Sequence, residues 1–186
     1  MKIEQTKLDG VCLITPARHG DSRGWFSETW NQRALAAAGI TAAFVQDNHS
    51  FSAQAGTLRG LHYQAPPHAQ DKLVRCSRGA VLDVAVDVRR GSPRFGAWVA
   101  QRLTAARGEQ LFIPKGFLHG FVTLEPDTEV QYKCSDFYAP ESDGAVRWDS
   151  LAIAWELDGP PQLSAKDAGA PHFSEWSSPF TLEDGA

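Results

Sequence analysis

The chain has 186 residues, 42% of them hydrophobic and 22% charged, which excludes disorder, collagen and coiled coil and describes an ordinary folded protein. At ~150 residues per domain one domain spanning 1–186 is expected, and such a chain buries roughly 70% of its unfolded surface without a disulfide or metal staple. The 18 Lys and Arg against 22 Asp and Glu leave a net charge of -4, which argues against nucleic acid or an anionic membrane as partner, because phosphate neutralisation drives both kinds of binding.

In chain order, Met1–Gly10 carries Lys2, Glu4, Lys7 and Asp9 and lacks the apolar core of a signal peptide. Its Lys2–Leu8 part reads instead as an edge strand able to add to a neighbouring sheet, the basis for expecting a homodimer. A strand over Val11–Thr15 follows, then the turn Arg18-His19-Gly20-Asp21. Thr29 is placed to cap a helix over Asn31–Ala38, rich in Ala and Leu and ended by Gly39. Strands are then expected over Phe44–Asn48, Thr57–Gln64, Lys72–Ser77, Leu82–Val88, Trp98–Leu103, Gln110–Ile113, His119–Leu124, Thr128–Cys134 and Ile153–Leu157. Leu82, Val84, Val86 and Val88 alternate with Asp83, Ala85 and Asp87, which reads as one apolar face. For Asp83 and Asp87, an ion pair to Arg75 or a solvent-facing position is expected ahead of the alternative that one of them faces the pocket. Ser164 caps a second short helix over Ser164–Ala168, and beyond Pro160-Pro161 a tail holding Trp176 and Phe180 should wrap the domain. About ten short strands separated by Gly and Pro turns make an all-β sandwich or barrel. The six tryptophans are expected in the core or at a dimer interface; His19, His49, His68 and His172 read as structural or exposed.

Cys12, Cys76 and Cys134 are far apart with no CxxC pair. That is neither a zinc site nor a disulfide framework, and it fits a reducing compartment. No run approaches the ~18 apolar residues of a membrane span, so a cytoplasmic protein is expected.

Ionisable residues interrupt three strand-like segments. The segment Gly108–Gly120 has the form G-x5-P-x-G-x2-H and resembles the second motif of the cupin superfamily, in which the histidine joins an upstream H-x-H and a glutamate around a metal. Upstream here stand only His62 and, two residues on, Gln64, with Lys72 near the place of a carboxylate ligand. A protonated lysine repels a divalent ion, so a cupin-like barrel without a metal or other cofactor is expected. On this segment alone, a structural histidine after a turn explains His119 as well as a ligand-binding one does.

Taken together, Gly20-Asp-x-Arg-Gly-x-Phe-x-Glu28, Phe44-Val-Gln-Asp-Asn-His-Ser50, Leu58-Arg-Gly-Leu-His-Tyr-Gln64, Lys72-Leu-Val-Arg75, Asp83-Val-Ala-Val-Asp87, Ile113-Pro-x-Gly-Phe-x-His-Gly-Phe121 and Leu163-Ser-x-Lys-Asp167 resemble the dTDP-4-dehydrorhamnose 3,5-epimerase family. The resemblance implies a cupin jelly roll acting as a homodimer, without metal, on a dTDP-4-keto-6-deoxy sugar nucleotide. It assigns His62 as base, Asp167 as the carboxylate that orients it, Lys72 as enolate stabiliser and Tyr132 as acid on the far face. It assigns Arg23 and Arg59 to the diphosphate, Glu28, Gln46 and Asn48 to the nucleoside, and His119 to the sugar. Phe26 or Tyr138 would stack on thymine, and Lys166 falls on a substrate-binding position. Asp143 stands where the family has a glutamate, one methylene longer.

The chemistry asks for such a set independently. The C4 ketone acidifies the hydrogens at C3 and C5, and inversion needs a base, a cation near the ketone oxygen and an acid opposite the base. Imidazole, the side chain that titrates near neutral pH, suits the first role. Arg59 has the wrong strand parity to face the same way as His62, so a bulge at Gly60 is expected to turn both inward. The nearest alternative is a single-centre dTDP-4-ketohexose epimerase of a secondary-metabolite pathway. A metal-dependent cupin with His62 and His119 as ligands and a non-catalytic nucleotide-sugar sensor are the others.

Overall fold

The computed structural model describes residues 1–185. Its strands are β1 (Lys2–Gln5), β2 (Cys12–Thr15), β3 (His19–Asp21), β4 (Gly24–Phe26), β5 (Gln46–Ser52), β6 (Leu58–Gln64), β7 (Lys72–Arg78), β8 (Ala80–Asp87), β9 (Trp98–Thr104), β10 (Gln110–Ile113), β11 (Phe117–Thr123), β12 (Thr128–Cys134) and β13 (Asp143–Ala145). Two short helices, α1 (Gln32–Ala36) and α2 (Ala165–Ala168), complete the regular structure with two 3-10 turns near the end of the chain. One sheet runs β1-β2-β10-β7-β12-β5, a second runs β13-β6-β11-β8-β9, and β3-β4 stands apart as a hairpin. The two larger sheets face one another as a cupin-like jelly roll, the expected all-β class.

Alternation explains three apolar layers. Between the sheets lie Val74, Leu111 and Val130 from one and Val81, Ala85, Leu103 and Phe121 from the other. Outside the five-stranded sheet, Leu82, Val84, Val86 and Leu118 meet Ile153, Trp155 and Phe180. Outside the six-stranded sheet, Cys12, Ile14, Leu73 and Phe112 meet Leu35 and Ile40 around α1. β8 is therefore buried along its whole length on both faces, where one apolar face was expected. Asp83 and Asp87 are fully buried, which corrects the expected solvent position, and neither pairs with Arg75. Asp87 instead binds Arg89 and Ser92, while Arg75 is held by Gln131.

Other departures have local causes. α1 begins at Gln32 because Asn31, not Thr29, accepts the Arg33 and Ala34 N–H groups, and its cap falls at Ala37. Ile153–Leu157 is not a strand. Ile153 and Trp155 are buried in alternation, but no neighbouring strand pairs with them, so the period-two pattern marks an extended segment laid on the outer core. The tail beyond Pro160 does pack back: Phe180 is buried, and Ser164 caps α2 as expected by accepting from the Asp167 N–H. Trp25, by contrast, is 60% exposed on the β3-β4 hairpin, away from the core.

Candidate active site

At one end of the sandwich the inner apolar layer gives way to polar side chains. β7 and β12 pair so that Tyr132 sits opposite Val74 and Cys134 opposite Lys72. β12 and β5 pair so that Tyr132 sits opposite Asn48 and Cys134 opposite Gln46. On the facing sheet, β6 and β11 pair His62 with His119 and Arg59 with Phe121, with a register shift between. The shift is the expected bulge. Gly60 adopts φ +131° and lies so near β11 that a Cβ would sit 2.6 Å from Gly120 Cα, a place only glycine can fill. It lets Arg59 and His62 line one cavity while Leu61 goes to the outer core.

That cavity has two lobes. One, of about 430 Å³, is lined by Arg59, His62, Lys72, His119, Tyr132 and Asp167 among others. The other, of about 370 Å³, is lined by Gln46, Asn48, Cys134, Tyr138 and Asp143, and shares His62, Lys72, Tyr132 and Lys166 with the first. A larger cavity of about 540 Å³ lies between the loop after α1 and the Pro67–Asp71 segment; it holds no histidine and no tyrosine.

His62 Nε2 lies 2.5 Å from Asp167 Oδ1. The carboxylate accepts, so in the neutral ring Nε2 carries the hydrogen and Nδ1 is left with a free lone pair. Asp167 is 2% exposed. Burial opposes its charge, but the His62 contact, the Ser164 hydroxyl at 2.9 Å and the Gly60 backbone N–H outweigh it and hold the carboxyl below the usual aspartate range. The bulge thus serves the site twice: it aims Arg59 and His62, and it donates to the aspartate behind His62.

His119 Nε2 donates to Asp83 Oδ1 at 2.7 Å. Burial lowers the His119 pKa in spite of that aspartate, with the Lys72 and His62 charges adding to the shift. Lys72 has no ion pair or hydrogen bond from its ammonium among the described residues. Burial lowers its pKa too, against the pull of Cys134, Asp143 and Asp83. Burial raises the Tyr132 phenol, so its proton stays in place. Arg59 donates to the Phe51 carbonyl at 3.1 Å, and its buried Nε has no partner among the described residues. Lys166 is ion-paired with Asp143, whose carboxylate also accepts from the Tyr138 hydroxyl at 3.3 Å. An imidazole backed by a carboxylate and a phenol therefore stand on opposite sheets of one cavity, with the Lys72 ammonium beside them. That arrangement can move a proton across the plane of a bound ring.

Of the residues expected at the site, His62, Tyr132, Asp167, Lys72, Gln46, Asn48, Arg59, His119, Tyr138, Asp143 and Lys166 line this cavity. Arg23, Phe26 and Glu28 do not. Arg23 is paired with Asp21 at 2.5 Å on the hairpin turn, Phe26 is 71% exposed, and Glu28 accepts from Asn31. Asp83 was missed as the partner of His119. The signal was an aspartate in an apolar strand; its partner depends on the β8–β11 register, which no local pattern carries. Among the described residues no group of three or more His, Cys, Asp or Glu side chains gathers to hold a metal ion, and no helix is long and apolar enough to cross a membrane.

A family model described as dTDP-4-dehydrorhamnose 3,5-epimerase matches residues 5–175. The chain is 49% identical over 178 residues to the dTDP-4-dehydrorhamnose 3,5-epimerase of Pseudomonas aeruginosa, covering 94% of this chain and 97% of that one. It is similar to the crystal structure of the Bacillus anthracis dTDP-4-dehydrorhamnose 3,5-epimerase with TDP and pyrophosphate bound, at 45% identity and TM-score 0.88, covering 91% of this chain and 98% of that one. It is also similar to a Legionella pneumophila dTDP-6-deoxy-D-glucose-3,5-epimerase in complex with dTDP-4-keto-L-rhamnose. There identity is 47% and the TM-score 0.87, covering 91% of each chain.

Proposed function

The chain belongs to the dTDP-4-dehydrorhamnose 3,5-epimerase family, and we propose from this premise how its own residues invert C3 and C5 of dTDP-4-dehydro-6-deoxy-D-glucose to give dTDP-4-dehydro-L-rhamnose. It is an isomerase. The observation that carries the reading is His62, held by Asp167, across one cavity from Tyr132.

His62 takes the proton from C3 through its free nitrogen. The electron pair left on carbon moves onto the C4 oxygen, giving an enolate, and Asp167 stabilises the imidazolium. The Lys72 ammonium, desolvated and unpaired, stabilises the enolate oxygen, with His119 beside it. Tyr132 delivers a proton to the opposite face; the imidazolium then loses its proton to solvent and the tyrosinate takes one up, and the same cycle at C5 completes the reaction with no net change of oxidation state. Arg59, with its unpartnered Nε, suits a diphosphate oxygen. Gln46, Asn48 and Tyr138 in the second lobe suit the nucleoside, and Lys166, tethered by Asp143, stands where the lobes meet.

Arg23, Phe26 and Glu28 enter this reading through a second copy of the chain. They sit on or just after the exposed β3-β4 hairpin, outside the cavity of their own subunit, so a homodimer in which each hairpin reaches the partner's cavity would give them their role. Light scattering, and activity regained on mixing Arg23→Ala with His62→Ala chains, test that assembly. A monomer, or mixtures as inactive as their components, would remove it. Three free buried cysteines fit a reducing, cytoplasmic setting.

The function itself is tested by incubating the protein with dTDP-4-dehydro-6-deoxy-D-glucose and following the sugar by proton NMR. The expected product is dTDP-4-dehydro-L-rhamnose. Unchanged substrate, or a sugar inverted at only one carbon, would contradict the reading.

A further inference from the structure

In the nucleoside lobe, three side chains form a hydrogen-bonded row whose direction is set at one end. The Tyr138 backbone N–H donates to Gln46 Oε1 at 2.9 Å. A backbone amide can only donate, so the oxygen of Gln46 must face it. Gln46 Nε2 then points along β5 and donates to Asn48 Oδ1 at 3.1 Å. With its oxygen engaged there, Asn48 turns Nδ2 toward β12 and donates to Cys134 Sγ at 3.6 Å. Cys134 lies opposite Gln46 and diagonal to Asn48 in the β5–β12 register, and it is 1% exposed. Burial raises its pKa, so the thiol stays neutral. Its sulfur is then a weak acceptor at the far end of the row.

An amide side chain with no fixed partner can turn by half a rotation and exchange donor for acceptor. An Asn–Gln pair free to do so can accommodate a pyrimidine bearing a 4-oxo group or one bearing a 4-amino group. Anchored at both ends, each amide offers its remaining N–H and lone pair in one arrangement. Resting on the reading that Gln46 and Asn48 hold the nucleoside, we infer that Cys134 is a positioning residue: by accepting from Asn48 Nδ2 it holds the far end of the row that the Tyr138 N–H orients, and sharpens a preference for a 2,4-dioxopyrimidine over a 4-aminopyrimidine nucleotide. Its role is carried by the sulfur as an acceptor, not by thiol chemistry. A hydroxyl at this position would serve equally and a methyl would not.

The test measures dTDP and dCDP affinity by calorimetry, and kcat and KM for the sugar nucleotide, on wild type, Cys134→Ala, Cys134→Ser and Asn48→Ala. Wild type is expected to favour dTDP over dCDP. Cys134→Ala should narrow that ratio about fivefold, the scale of one intramolecular hydrogen bond, and raise KM with kcat unchanged; Cys134→Ser should restore the wild-type ratio. Asn48→Ala binding dTDP as wild type does would remove the nucleoside reading and this inference with it. If Asn48→Ala weakens dTDP while Cys134→Ala keeps the wild-type ratio, only the inference falls. It also falls if wild type binds both nucleotides equally, or if Cys134→Ser is as impaired as Cys134→Ala, because the cysteine then only fills space.

Discussion

His62 and His119 are paired across β6 and β11, each with Nε2 against an aspartate, at 2.5 and 2.7 Å. Their partners come from different parts of the chain. Asp83 belongs to β8, buried on both faces, and its second oxygen has no hydrogen-bond partner among the described residues. Asp167 belongs to α2, in the returning tail, and Ser164 engages its second oxygen. The imidazoles differ in access as well: the His62 side chain is 31% exposed and that of His119 8%. The same two residue types therefore suit the proposed proton transfer where the ring opens to the cavity and the carboxylate is fully bonded. Where both partners are sealed in, burial holds the imidazole in its neutral form. Residue chemistry is shared; burial and the second oxygen's partner divide the roles.

The comparison breaks most readily at His62. His62→Asn should lower kcat by about 10⁴-fold, the upper range for a positioned acid–base group, while dTDP binding by calorimetry stays within a few-fold of wild type. Asp167→Asn should follow at about 10²- to 10³-fold, because an amide no longer fixes the tautomer or stabilises the imidazolium. Its melting temperature should fall as well, because a buried carboxylate loses its charge-assisted hydrogen bonds, so the loss of kcat is what sets it apart. Tyr132→Phe should lower product formation about 10²-fold yet still exchange substrate hydrogen with solvent, since His62 remains; loss of exchange would move Tyr132 into the abstraction step.

Asp83→Asn should show a different balance, with kcat reduced less than about tenfold. Stability should fall by about 1–3 kcal/mol, because a buried pair loses its charge-assisted hydrogen bond. Kinetics beside the melting curves of both variants separate the two pairs, and equal losses of kcat would erase the distinction. The smallest expected effect is on pH. The folded pKa of His119 lies below its unfolded value, so as pH falls beneath about 6.5 the unfolded chain takes up the proton first and stability declines. His119→Gln should flatten that part of the melting-temperature profile.

Most strand positions were legible because period-two alternation and Gly and Pro turns are local signals, whereas the order of the strands in the sheets was not. Gln110–Ile113 and Thr128–Cys134 form as read, and the bulge at Gly60 follows from the parity conflict between Arg59 and His62. Ile153–Leu157 misled because alternate burial marks any extended segment on a core, and pairing requires a neighbour that sequence does not display. The site residues within β6, β7 and β12 carried their own signal in ionisable side chains on apolar faces. Asp83 carried the same kind of signal, an aspartate in an apolar strand, but its partner did not show, since that depends on the β8–β11 register. The separation of Arg23, Phe26 and Glu28 from the cavity was equally invisible, because a hairpin standing off the sheets reads like any other turn.

Heavy water offers the most direct trial of a two-faced proton transfer centred on His62 and Tyr132. After turnover of the 4-keto sugar nucleotide in D₂O, mass spectrometry and NMR should find one solvent deuteron at C3 and one at C5 of the inverted sugar. Product inverted at both carbons but retaining its original hydrogens would contradict the account, since no proton would then have passed through these side chains.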